Sequence, residues 1–106
     1  RNQAVLVEVG KQVPPIIFLL FLFNASVLEE IVYRQLLWEK LTFPLEQIGV
    51  TSFLFALAHG PNQLGSWLIY CCLGLTLAII RLKTDCKMAI VLHLLWNSLA
   101  YVVTFL

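Results

Sequence analysis

The chain has 106 residues, of which 60% are hydrophobic and 12% charged, with a formal net charge of +1. That length holds a single domain, the composition is too apolar for a soluble one, and so small a charge gives no electrostatic ground for a nucleic-acid partner. The expected fold class is all-α: a polytopic transmembrane helix bundle, multi-pass and integral to the membrane, with about four helices in this chain. Because the sequence opens on Arg1 rather than Met, it is expected to be the core of a larger bundle with earlier helices upstream. No charged n-region, short apolar run and small-residue cleavage site precede Pro14, so no signal peptide is expected.

Residues 1–13 mix Arg1, Glu8 and Lys11 with Val5, Leu6 and Val7 and read as an N-terminal connecting or interfacial segment, leaving 14–106 as the core domain. Pro14 and Pro15 suit the first turn of a helix, where a missing N–H is harmless. The first helix then runs to about Leu41, and at 1.5 Å per residue it reaches roughly 42 Å, enough to cross a bilayer and project beyond it. Thr42-Phe43-Pro44 breaks it. A second helix, Leu45 to His59, ends at Gly60-Pro61-Asn62, a strong stop signal; at about 22 Å it is short for a full span. The third, Gln63 to Leu82, contains 17 consecutive uncharged residues from Leu64 to Ile80, with Gly65, Ser66, Gly74 and Thr76 offering small surfaces for helix packing. Lys83-Thr84-Asp85 turns the chain into a fourth helix, Cys86 to Leu106. Cys71, Cys72 and Cys86 are odd in number and lie in or beside apolar runs, so they are read as packing residues, and the ending Thr104-Phe105-Leu106 has no lipidation box. Arg34, Lys40, Arg81, Lys83 and Lys87 fall toward one side if the helices alternate, which makes that side the cytoplasmic one.

Two adjacent acids and an arginine, Glu29, Glu30 and Arg34, interrupt the first apolar helix. A charged group facing lipid there costs about 2.5–3.5 kcal/mol on insertion scales, so these side chains face protein or a water-filled cavity. Glu30 and Arg34 are i, i+4 on one face and form a natural ion pair, while Glu29 lies about 100° round the helix and stays available. A structural ion-pair cluster and a catalytic group both explain this stretch. Further polar groups follow: His59, preceded by Phe55 in Phe-Ala-Leu-Ala-His, and the i, i+4 pair His93 and Asn97 in His-Leu-Leu-Trp-Asn. Counted from the shared side at 1.5 Å per residue, Glu30 lies about 17 Å deep, His59 about 22 Å, His93 about 10 Å and Asn97 about 16 Å, so the four can meet in one layer. Such a set can activate water, with a carboxylate as general base beside an imidazole, and an imidazole and a carboxamide as donors to an oxyanion. Neither Ser26 nor Ser98 has an evident partner that would make it a nucleophile. Direct attack by water on an amide is the economical chemistry.

Glu-Glu-x-x-x-Arg, Phe-x-x-x-His and His-x-x-x-Asn, in this order on successive apolar helices, resemble the CPBP family, the CAAX proteases and bacteriocin-processing enzymes also called Abi proteins. The three motifs are complete as Glu29-Glu30/Arg34, Phe55/His59 and His93/Asn97, and the likeness covers residues 14–106. It implies an intramembrane endopeptidase, similar to the type II CAAX prenyl endopeptidases. Glu29 and His59 would activate water, His93 and Asn97 would form the oxyanion hole, and Glu30 and Arg34 would be a supporting ion pair. Members of the family are often called metalloproteases, and a Glu with two His can equally work as a metal-free glutamate protease. The expected cofactor is therefore either none or one divalent metal such as zinc, held by Glu29, His59 and His93; His-Glu-x-x-His spacing is absent and does not choose.

The expected partners are the lipid bilayer and a membrane-embedded or lipid-tethered peptide, prenylated CAAX-like or bacteriocin-leader-type, and the expected location is a bacterial cell membrane. The alternative from another class is a non-catalytic bacteriocin immunity protein or membrane partner of the same family, which a degenerate site would favour. A proton-coupled transporter also uses buried Glu and His, but four helices without an internal repeat argue against it.

Overall fold

The structure is a computed structural model and describes residues 3–105. It contains five helices: α1 (Gln3–Gln12), α2 (Pro15–Lys40), α3 (Pro44–Ala58), α4 (Leu64–Lys83) and α5 (Cys86–Phe105). No strand occurs among the described residues. The all-α reading holds, and α2, α4 and α5 are each long and apolar enough to cross a membrane. Large apolar side chains such as Leu45, Leu64 and Val103 are exposed, whereas Ser26, Glu30, Arg34, Thr51 and His93 are buried. Polar groups inside and apolar groups outside are what a bilayer demands. This is a membrane protein.

Within residues 1–13, read as a connecting or interfacial segment, the structure adds a short helix. Gln3–Gln12 is helical, having no proline before Pro14 to interrupt it. Gly10 lets this helix lie against the rings of Phe18 and Phe105, both close to where a Cβ would stand.

Helix α2 is continuous but not uniform. Pro15 occupies its first turn, and residues Val32–Leu36 form a π turn in which the Leu37 N–H bonds the Val32 carbonyl five residues back. The buried residues of α2 are Phe18, Leu22, Ser26, Glu30, Arg34 and Trp38, one every fourth position. On a regular helix a step of four advances about 400°, so such a row drifts by about 40° each time and winds off the face. The wider π turn works against that drift in the segment that carries Arg34.

Helix α5 runs antiparallel to α2 in a register of fours. The Phe18 and Phe105 rings meet edge-on with centroids 5.5 Å apart, Asn97 bonds Ser26, and His93 bonds Glu30. Continuing the register sets Ala89 opposite Arg34. Both are fully buried, and the small side chain leaves room for the guanidinium.

Helix α3 ends at Ala58 because Gly60 adopts φ 61°, a left-handed conformation that glycine takes without a Cβ penalty and that commonly terminates helices. His59 therefore sits on the final turn. Helices α3 and α4 approach closely at Gly74, where an added Cβ would stand 3.2 Å from Ser52 Cα, Ser52 O and Phe55 Cδ1. Two of those three atoms are helix backbone and cannot swing aside. Gly74→Ala is therefore expected to push α3 from α4 and to destabilise the protein by about 1–3 kcal/mol, the usual cost of overpacking. A lowered midpoint of thermal unfolding in detergent is the readout, and an unchanged midpoint would contradict the close approach.

Candidate active site

The two adjacent glutamates point to different partners, as their separation of about 100° around the helix requires. Glu30 is fully buried. Its Oε2 accepts a hydrogen bond from His93 Nδ1 at 2.9 Å, and its Oε1 lies 3.4 Å from Arg34 Nε. Its main-chain carbonyl accepts from the Cys86 thiol, Sγ standing 3.6 Å away.

Arg34, also fully buried, extends past Glu30. Its Nη2 donates to the Gly74 carbonyl at 2.6 Å, and its Cζ lies 5.1 Å from the centroid of the Phe55 ring. Arg81 braces the same turn from outside: its Nε donates to the Arg34 carbonyl at 2.7 Å while its guanidinium covers Trp38 at 5.1 Å. Donors from α4 and α5 thus reach two main-chain carbonyls, those of Glu30 and Arg34, in or beside the π turn. Loosened helical ladders commonly satisfy their carbonyls in this way.

Glu29 faces the other way. Its Oε1 is 2.9 Å from His59 Nε2, with side-chain exposures of 19% for the glutamate and 7% for the histidine. His59 Nδ1 lies 2.7 Å from the Phe55 carbonyl. A carbonyl only accepts, so Nδ1 carries the hydrogen, and one further proton must lie between Nε2 and the carboxylate. The ring is held between Phe55, at 4.4 Å between centroids, and Tyr70, stacked at 4.6 Å. Phe55 is wholly buried and touches His93 as well, at 5.7 Å, so a single ring separates the Glu29–His59 pair from the Glu30–His93 pair.

A cleft of about 300 Å³ opens on the first pair, lined by Ala25, Leu28, Glu29, Tyr33, Ala58 and His59. A hollow of about 360 Å³ between α4 and α5, walled by Leu68, Leu73, Leu92 and Trp96 among others, holds none of the motif residues. Chemistry selects the smaller space, because it alone of the two contains a carboxylate and an imidazole.

The six candidate catalytic residues thus fall into one connected region, but not all on one surface. Glu29 and His59 reach the cleft, while Glu30, Arg34 and His93 lie behind it. Asn97 borders a separate small hollow beneath α1, together with Phe18, Leu22 and Tyr101. Its Nδ2 donates to Ser26 Oγ at 2.5 Å, and Ser26 donates on to the Leu22 carbonyl at 2.8 Å. Ser26 therefore has a partner that sequence reasoning missed. Its position four residues before Glu30 is the signal that it shares the buried face.

The three side chains expected to hold a divalent metal do not form a cage. Among the described residues no group of three or more His, Cys, Asp or Glu side chains is placed to hold an ion. His59 uses both ring nitrogens, and His93 commits Nδ1 to Glu30.

Residues 11–99 match the family described as type II CAAX prenyl endopeptidase Rce1-like. The chain belongs to this family. It is also similar to the UPF0177 protein YvdC of Lactococcus lactis subsp. lactis (strain IL1403), at 33% identity over 105 residues, which is 96% of this chain and 40% of that relative. The chain thus spans well under half the length of this relative. No solved structure matches it. Membership agrees with the resemblance carried by the three motifs, of which Arg34, His59 and His93 meet the Phe55 ring.

Ser26→Ala is expected to leave the half-buried Asn97 amide without this acceptor and to lower stability by about 1 kcal/mol, the net worth of one hydrogen bond. Asn97→Ala in the Ser26→Ala background should then add less than it does alone, because the two share one bond. Additive losses in thermal unfolding would show that the pair is not coupled.

Proposed function

We propose that this protein is an intramembrane endopeptidase that hydrolyses a peptide bond of a lipid-tethered or membrane-embedded substrate, and that it resides in a bacterial cell membrane. The observation that carries this reading is the Glu29–His59 contact of 2.9 Å at the edge of a cleft, in a chain of a CAAX endopeptidase-like family.

The dyad holds one mobile proton, and in its ion-paired form Glu29 is a carboxylate and His59 an imidazolium. Glu29 takes a proton from water as the water oxygen bonds to the scissile carbonyl carbon, and the carbonyl π pair moves onto its oxygen. When the tetrahedral intermediate collapses, the C–N bond breaks and His59 Nε2 delivers its proton to the departing nitrogen. The proton left on Glu29 then crosses the 2.9 Å gap to His59 and restores the pair. General acid–base catalysis of this kind contributes about 10²–10⁴-fold. Glu30, Arg34 and His93 hold the wall behind the dyad. His93 and Asn97 are also the donors that the family resemblance assigns to the oxyanion: Asn97 keeps its second N–H, and His93, whose Nδ1 serves Glu30, donates from Nε2 only as an imidazolium. No step in this scheme passes through a metal.

Full-length protein in liposomes, incubated with a farnesylated peptide, its unprenylated twin and a double-glycine leader peptide, should cleave at least one of them. Glu29→Gln should lower kcat by about 10²–10⁴-fold while keeping the unfolding temperature. Glu30→Gln should lower stability as well, by about 3–5 kcal/mol, since it breaks a buried pair and strands Arg34. Equal stability losses in the two variants would defeat this division of roles. Activity that survives thorough chelation, with no metal in elemental analysis of the purified protein, is the expected result for cofactor; one metal per chain and loss on chelation would replace the metal-free scheme. Retained partner binding without any Glu29-dependent cleavage would favour the immunity-type protein.

A further inference from the structure

The cleft beside Glu29 and His59 has a third polar wall. Of its six lining residues, Ala25, Leu28 and Ala58 are apolar, so Glu29, His59 and Tyr33 supply all of its polar side-chain chemistry. Tyr33 stands four residues after Glu29 and therefore on the same face of α2, one turn along. It precedes Arg34 inside the π turn Val32–Leu36. Its ring is fixed: it meets Phe55 edge-on at 5.8 Å and the Arg34 guanidinium at 6.0 Å, and it packs on the apolar cluster of Phe55, Leu73 and Leu77. The phenol lies within electrostatic reach of Glu29, Glu30 and Arg34. His93 and Asn97, by contrast, are absent from the cleft lining, and each has a hydrogen bond directed to α2.

We propose that Tyr33 is a further catalytic residue, whose hydroxyl donates a hydrogen bond to the carbonyl oxygen of the scissile peptide as it becomes an oxyanion. This rests on the endopeptidase reading above and adds to it a donor on the cleft wall itself. The step is balanced without proton loss from the phenol. Glu29 takes the proton from water, the new C–O bond forms, the carbonyl π pair becomes the oxyanion lone pair, and the Tyr33 O–H stays intact while donating to it. On collapse that lone pair reforms the carbonyl and His59 protonates the amine. A phenol suits this role because it is neutral at physiological pH, keeps its proton, and is carried on a rigid ring. The choice of partner follows from the shared cleft, because Tyr33 and Glu29 line it one helical turn apart and a carbonyl bound there can meet both.

The test uses full-length protein in liposomes and whichever peptide of the panel the wild type cleaves, with Tyr33→Phe as the variant and Glu29→Gln as the control. Tyr33→Phe preserves the ring contacts with Phe55 and Arg34, so unfolding temperature should be unchanged. The expected result is a fall in kcat of at least about tenfold, within the range for loss of an oxyanion donor, with KM altered by less than about twofold. A second readout separates donation from packing: a phosphinate analogue of the same peptide, which mimics the tetrahedral anion, should lose affinity for Tyr33→Phe by a similar factor, while the uncleaved parent peptide binds Glu29→Gln and Glu29→Gln/Tyr33→Phe alike. Glu29-dependent cleavage that Tyr33→Phe leaves at full kcat overturns this proposal alone, and so does an unchanged phosphinate affinity. Absence of any Glu29-dependent cleavage overturns the endopeptidase reading and this proposal together.

Discussion

Everything in this small bundle is arranged around the burial of one carboxylate. Glu30 has no exposed surface, and an ionised carboxylate in an apolar interior is tolerated only when its neighbours replace the water it has lost. Those neighbours come from three helices. Arg34 comes from the next turn of α2 and His93 from α5, while Gly74 on α4 anchors the far end of the same guanidinium. Because Arg34 cannot shed its charge, the pair keeps its partners only with all three helices in place, so a single acid specifies much of the tertiary arrangement. The cost of leaving any one partner unpaired, about 3–5 kcal/mol, is a large share of the net stability of a domain of this size.

The register between α2 and α5 follows from the same requirement. Both helices present residues every fourth position to each other, and the polar rungs Glu30·His93 and Ser26·Asn97 are flanked by the aromatic rung Phe18·Phe105. A slip of one helical turn would face Glu30 with Asn97 or with Ala89, exchanging a charge-assisted bond for a weaker one or for none. Apolar contacts between membrane helices are poor at fixing register, since lipid tails offer equivalent contacts, whereas hydrogen-bonded rungs in an apolar medium have few alternatives. The polar residues that look out of place in the sequence are therefore the ones that align it.

Much of the architecture was legible from sequence alone. The four long segments, the stop at Gly60 and the pairing of Glu30 with Arg34 all follow from hydropathy, breakers and i, i+4 spacing, and the structure keeps each of them. The features that were not legible are those that depend on a second helix. Ser26 looked unpartnered because its acceptor role is fixed by Asn97, 71 positions away, and no local pattern reports that distance. The π turn is equally silent, since Val32-Tyr33-Arg34-Gln35-Leu36 carries no proline or glycine to announce it; carbonyls in and beside it are met by Arg81 and Cys86 from elsewhere in the fold. Depth counting set Asn97 level with Glu30, whereas the structure pairs Glu30 with His93 and places Asn97 one turn away against Ser26. The hydrogen bonds of His93 and Asn97 run to α2, and Asn97 borders the hollow under α1 rather than the cleft.

The adjacency of Glu29 and Glu30 has a physical logic of its own. Two carboxylates side by side would repel if they shared a site, and one of them would hold a proton to relieve it. Here the helix turns them about 100° apart, and the Phe55 ring stands between the two histidines that receive them. One acid is enclosed, ion-paired and committed to structure; the other keeps partial access to a cleft and a histidine partner. Burial thus divides two chemically identical side chains into an anchor and a base, and it does so through backbone geometry that the anchor itself stabilises. Loosening Glu30 should for that reason move Glu29 as well, since both ride on the same turn, while perturbing Glu29 leaves the anchor where it is. The buried acid is tied to both α4 and α5, through Arg34, His93 and the carbonyl that Cys86 reaches, so its displacement is felt across the bundle.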